Sequence, residues 1–551
     1  MKHLSLYTLL LSFLSLLACT EKKPAQEEAA STEAAHLGEI DFAITGSPEA
    51  QQLFREGLLL LHSFEYQDAR EAFLKAQEAD PECAMAYWGE AMTRNHPLWR
   101  RRGEEEAQEA LQKLGESQEE RLAKAQTELE RDFIQAAEIL FEKGEKNERD
   151  KAYADYMAGL YEKYPGNHEV AAFYALSLLG AVEAGRDEKA SGKSARIAKG
   201  VLDENPKHPG ALHYLIHAYD DPTHAHMARF AADSYADVAP DAAHALHMPS
   251  HIYVALGMWH EVVASNIDSW NASVQRMHRM ELDDDARSYH AFHWLTYGLL
   301  NQERWSEATQ LLDSMVIYTD SLPSRKARAY LIDMKGGYLV ESGEWDSPIA
   351  DIAIDLKELN IVSVAAEYFL QGMQAYENED QVKLQAVIDT LQNKLADARR
   401  QASGEAAAMC GSSRYAPNRL DVDQANVVLL ELQALDALLA KNEAQAEKFM
   451  QAATSLETSA SYSYGPPPIL YPSFEFYGDW LKEEKRYEEA LQQYRKALER
   501  GPKRTRALKG MLKAAEALND KKTQAEAMTQ LEETRKRADE TPGLESSNTT
   551  I

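Results

Sequence analysis

Cysteine is nearly missing from this chain. Three residues in 551, Cys19, Cys83 and Cys410, are too few for a disulfide framework or a cysteine-rich metal site. Glycine and proline are sparse as well, at 27 and 19 residues, and the strand-and-turn alternation of β and α/β proteins is missing with them. After residue 18 no apolar run is long enough to cross a bilayer. Nor is there a cationic excess, since 59 Lys and Arg face 89 Asp and Glu, a formal charge of −30. Such a balance repels phosphate backbones, which argues against a nucleic-acid partner, and it favours cations. Familiar catalytic signatures are absent too: there is no GxSxG elbow, no P-loop and no dinucleotide-binding glycine fingerprint. His260-Glu261-Val262-Val263-Ala264 has alanine where a zinc-protease helix needs its second histidine.

The amino terminus differs in kind from the rest of the chain. Lys2 gives a basic start, Leu4 to Leu17 is apolar, and Leu16-Leu17-Ala18-Cys19 closes the run. This pattern resembles the lipobox of a bacterial lipoprotein precursor, with residues 1–18 as a removed signal. The resemblance implies acylation of Cys19 and a membrane anchor through lipid. Thr20 is not the aspartate that the family links to inner-membrane retention, so the outer membrane of the cell envelope is expected. Residues 19–46 read as the lipidated cysteine and a flexible tether, Glu- and Ala-rich from Glu21 to Ala35. Residues 539–551 read as a disordered tail.

Between them helical periodicity is nearly continuous. Phe474, Tyr477, Gly478, Leu481, Ala490, Tyr494, Ala497 and Pro502 resemble the tetratricopeptide pattern, in which small residues let paired helices approach and a proline stops the second helix. Leu53, Gly57, Leu60, Ala69, Phe73, Ala76 and Pro81 make another copy, and Leu212, Leu215, Tyr219, Ala228, Ala232, Tyr235 and Pro240 a third. Helix pairs are also expected over 151–204, 325–358, 362–399 and 423–456. One repeat cannot bury its own apolar face, so residues 47–538 are expected to form an all-α fold, an α-solenoid of stacked hairpins.

Three stretches interrupt the pattern. Arg100 to Glu120 is densely charged and reads as a solvated helix or insertion. Ala402 to Pro417 reads as a mobile loop. Ser459 to Pro472, with Tyr462, Tyr464, Gly465 and three prolines from Pro466, reads as a stiff connector or the lining of a groove.

Histidine is where the chain is unusual. Twelve of 17 lie between His208 and His293, where even scattering would place about three. Counted from repeat starts at 209, 243 and 289, His213, His247 and His293 share position five, while His217 and His251 share position nine. The tetratricopeptide resemblance implies that both positions face the concave groove. Residues one turn apart are about 5–6 Å apart at Cβ, and adjacent helices pack at about 8–10 Å, so one ion could be reached from two helices. Asp220 follows His217 by three residues and is the carboxylate that would complete or orient such a site, with Asp221 in reserve. His244 and His290 flank the same wall, and His62 and His96 are a separate pair one repeat apart.

The segments from His208 to Ala218 and from His244 to Tyr253, with Tyr87-Trp88-Gly89 and Tyr464-Gly465-Pro466-Pro467, are similar to a family of bacterial tetratricopeptide proteins with a histidine-rich centre and no settled activity. Three readings of the cluster stand side by side. It holds a transition metal, with Zn, Cu, Ni and Fe all suited to imidazole; it is a packed polar network in a scaffold whose groove takes an envelope protein or peptide segment; or it binds a small organic anion. A metal-dependent hydrolase, with Asp220 or Glu261 as base, is the catalytic variant of the first.

Overall fold

A computed structural model describes residues 36–183, 185–403 and 417–536. The signal, Cys19, most of the tether, most of the loop after Ala402 and the tail fall outside them. Among the described residues the architecture is all-α, a succession of antiparallel helical hairpins with one two-residue strand pair, Asn95–His96 against Arg101–Arg102.

The hairpins pack as the repeat pattern requires. Pro48–His62 pairs with Tyr66–Ala79, Pro209–Ala218 with Arg229–Val238, and Ser473–Glu483 with Tyr487–Arg500. In the last pair Gly478 is needed for close approach, since a Cβ there would lie 2.9 Å from the Tyr494 ring. Helices Lys146–Lys163, His168–Gly180 and Glu188–Glu204 fill the 151–204 span, and Arg419–Leu439 with Glu443–Ser459 fills 423–456. Among the described residues no helix is long and apolar enough to cross a membrane.

Four expectations need correction. The body begins before residue 47, because Leu37, Ile40 and Ile44 are buried and the Glu39 amide donates to the Lys207 carbonyl at 3.0 Å. The charged stretch from Arg100 is not merely a wet face: helix Glu104–Leu114 buries Ala107, Ala110, Leu111 and Leu114. The 325–358 span holds one helix, Arg325–Ser342, not two. Gly343 takes a left-handed φ of 74° there, and Pro348 follows; the buried Lys335 ammonium donates to the Ile352 carbonyl at 2.8 Å and pairs with Glu367.

The fourth correction concerns the hollow itself. Instead of lying open along the histidines, the superhelix closes on its own centre. Arg276 pairs with Asp68, and the Glu65 carboxylate accepts from the His244 amide, which ties the first hairpin to the middle. From the other end, Trp259 donates to the Lys503 carbonyl at 2.9 Å, and buried Arg504 pairs with Glu341 and Glu475. The connector before Ser473 is pinned as well, because the Arg186 amide donates to Ser461 Oγ at 2.6 Å. The histidine wall therefore lines an inner chamber.

Candidate metal centre

The chamber rests on a buried polar clamp. Helix Pro209–Ala218 starts with proline at its first position, and His208 caps it by accepting the Ala211 N–H on Nδ1. That leaves the His208 proton on Nε2, which faces Glu169 at 3.1 Å. The other Glu169 oxygen takes His62 Nε2 at 2.7 Å, and the Tyr214 hydroxyl sits 2.8 Å from His62 Nδ1. Gly210 makes room for this ring, since a Cβ there would lie 2.3 Å from His62 Nδ1. Burial alone would raise the Glu169 pKa, but the two imidazoles hold it well below the usual carboxylate range, whereas burial lowers His62. Every hydrogen-bonding atom of the clamp is satisfied, so His62, Glu169 and His208 read as a structural joint.

The His62 carbonyl continues outward to His213, whose Nδ1 lies 2.7 Å away. A carbonyl only accepts, so the proton is on His213 Nδ1 and the Nε2 lone pair is free. That Nε2 is 3.1 Å from His217 Nε2 and 3.2 Å from His244 Nε2. These three nitrogens form a first triad.

A second triad lies beside it. Asn266 donates through Nδ2 to the Val262 carbonyl, which turns its Oδ1 toward His247 Nδ1 at 2.6 Å. His251 Nδ1 is 2.5 Å from Asp220 Oδ2. Both contacts place the ring proton on Nδ1, yet His247 Nε2 and His251 Nε2 face each other at 3.1 Å. His290 completes the group, with its ring 4.5 Å from that of His247 and its Nδ1 3.2 Å from the Tyr330 hydroxyl.

A contact between two lone pairs needs something positive between them. Either one ring becomes an imidazolium in a buried site or a cation takes both nitrogens. Tetrahedral coordination at about 2.0–2.1 Å from each nitrogen separates ligand atoms by about 3.3–3.4 Å, close to the 3.1 and 3.2 Å contacts of His213 and the 3.1 Å contact of His247 with His251. Burial lowers the pKa of His213, His217, His244, His247 and His290 well below the ordinary value, and neighbouring histidines lower it further. Neutral imidazole is the ligating form. Asp220 is 2% exposed, and its Oδ1 has no hydrogen-bond partner.

Aromatic side chains wall the chamber. Trp294 packs on His247 and His251 with ring centres 4.8 and 4.5 Å away, and Phe64 lies 4.2 Å from His213. Trp99 and Tyr464, each almost half exposed, stand over His244 and His251 at 5.6 and 5.5 Å. His217 and His244, which lie against Tyr464 and Trp99, and His290 are half-buried.

His213, His217, His247, His251 and Asp220 are thus brought together. His293 is not: among the described residues it joins none of the groups that could hold a metal ion, it lies by Tyr330 with ring centres 6.0 Å apart, and burial pushes its pKa down to about 4. His290 takes its expected place. The repeat count misses His290, which takes the second position of helix Tyr289–Asn301 just as His244 takes the second position of Ala243–His247. Asp221 turns away to cap Thr223 and His224 and to pair with Arg186. Glu261 lies with Tyr253 and Arg229, outside both triads. His96 stacks on Tyr66 at 4.0 Å, apart from His62.

No family model matches the chain, and no curated protein does. Among solved structures it is similar to the Cut9–Hcn1 assembly of the APC/C (11% identity over 89% of this chain and 74% of that one, TM-score 0.34). It is also similar to the human IFIT1 dimer with m7Gppp-AAAA (11%, 87% and 95%, TM-score 0.34) and to yeast Tom70 (10%, 90% and 92%, TM-score 0.31). Superpositions this loose say nothing about what the chain binds.

Proposed function

We propose that this protein is a metal-binding α-solenoid that holds a transition-metal ion in its central chamber, carried on a lipid anchor at Cys19 in the bacterial cell envelope. One observation carries the reading: His247 and His251, each with its Nδ1 proton committed to Asn266 or Asp220, turn unprotonated Nε2 atoms on each other at 3.1 Å. Imidazole donors with one carboxylate suit zinc, copper, nickel or iron and disfavour calcium and magnesium. The orphaned Asp220 Oδ1 supports it, as an acceptor for a water on the ion. With such a water, the chamber has the parts for metal-assisted hydrolysis, with Asp220 as base.

The test is elemental analysis of the folded chain purified without chelators, repeated for the double variant His217→Ala, His251→Ala. Bound metal in the first and its loss in the second support the reading. No metal in the wild type after incubation with zinc or copper sinks it and leaves an envelope interaction scaffold with a structural histidine network.

A further inference from the structure

We infer that the chamber is a two-ion centre, one ion in the His213, His217, His244 triad and one in the His247, His251, His290 triad, with Asp220 between them. This rests on the proposal that the chamber holds metal and adds the number and arrangement of ions.

Capacity is the first consideration. A tetrahedral ion takes four donors, whereas six imidazoles and a carboxylate converge on this chamber. They divide into two sets. Within the first, ring centres are 4.9 and 5.0 Å apart around His213; within the second they are 5.0 and 4.5 Å apart around His247. Each set supplies three nitrogens and leaves a coordination position for a non-protein ligand, the pattern of reactive rather than purely structural sites.

The sets are also neighbours. His217 and His251 lie 5.3 Å apart between ring centres, and His244 and His247 6.0 Å, hardly more than within a set. Ions that share ligands across such a seam in known two-metal sites sit about 3.5–4 Å apart. Asp220 occupies the seam: it groups with His217 of the first set and His251 of the second. Its Oδ2 orients His251, and its buried Oδ1 is free to accept from a water or hydroxide held between the ions. Two divalent cations need local negative charge, and Asp220 with a bridging hydroxide supplies it.

The helices explain why two sets exist. Positions five and nine of the repeat starting at 209 supply His213 and His217, and the same positions of the repeat starting at 243 supply His247 and His251. The third ring of each set comes from another helix, with Ala243–His247 carrying His244 and Tyr289–Asn301 carrying His290. Duplication of a two-histidine face thus yields two adjacent half-sites.

The experiment is a metal count. The full chain is stripped by chelator, loaded with excess Zn²⁺ or Cu²⁺, desalted, and its ions counted per folded chain, with circular dichroism as the check on folding. The wild type is expected to retain two. The pair His213→Ala, His244→Ala is expected to retain one, and so is the pair His247→Ala, His290→Ala. Should either pair unfold, electron paramagnetic resonance of the Cu²⁺-loaded wild type decides, by spin coupling between close ions. One ion in the wild type, two ions in either folded variant, or uncoupled copper signals would overturn the inference and leave the metal reading standing. No retained ion would overturn both.

Discussion

His251 Nδ1 lies 2.5 Å from Asp220 Oδ2, a contact between side chains 31 residues apart. It fixes the ring so that Nε2 points into the chamber, and it leaves the other carboxylate oxygen buried and open. Replacing Asp220 with Asn keeps the size but removes the charge that makes His251 a better donor. Metal affinity should fall by about 10- to 100-fold, measured by competition with a chromophoric chelator, while the circular dichroism spectrum stays unchanged.

His290 and His293 give a direct contrast. Only His290 reaches His247 and His251, so His290→Ala should lower the affinity for metal, and His293→Ala should leave it unaltered. Equal losses in the two variants would show that helix Tyr289–Asn301 is rotated away from the orientation that turns His290 toward His247.

Gly465 supports the centre from outside. Its φ is 85°, and a Cβ there would lie 2.1 Å from the Trp294 ring, which packs on both His247 and His251. Gly465→Ala should displace that indole and weaken metal binding by about tenfold. Indole fluorescence should change along with it.

Glu169 tests the clamp. Glu169→Ala leaves His62 and His208 without their shared acceptor in a fully buried site, and each buried donor left unsatisfied costs about 1–3 kcal/mol. Urea unfolding should register that loss. Metal affinity should fall too, because the His62 carbonyl orients His213.

Glu431 offers a pH prediction away from the chamber. It is fully buried, neither oxygen has a partner, and burial, then Glu457, raises its pKa well above 4.5. The folded state thus keeps a proton that the unfolded chain releases, so this group's contribution is intact below about pH 4.5 and lost as pH rises through the folded value. Glu431→Met, close in volume, should raise stability by about 1–3 kcal/mol at pH 8 and by less at pH 4.5. Thermal melts at the two pH values check the sign.

Much of this was legible from the chain alone because the cause is local. Gly478 with Tyr494 and Gly57 with Phe73 announce hairpin packing, and a 34-residue recurrence puts His213 with His247 and His217 with His251 on shared faces. What escaped depends on contacts distant in sequence. That Glu65 would hold the His244 amide, or that Gly465 would bring Tyr464 over His251, comes from closure of the superhelix and has no periodic signal. The tautomers depend on Asn266 and the His62 carbonyl, partners that a histidine count does not reveal. His290 in place of His293 follows from the second helix position, which His244 also occupies, a recurrence that counting positions five and nine passes over.

The most direct measurement is anomalous diffraction at the zinc edge from crystals of the chain grown with zinc. The account predicts a peak within about 2.0–2.3 Å of both His247 Nε2 and His251 Nε2. A chamber without a peak, with zinc confined to surface carboxylates, would contradict it.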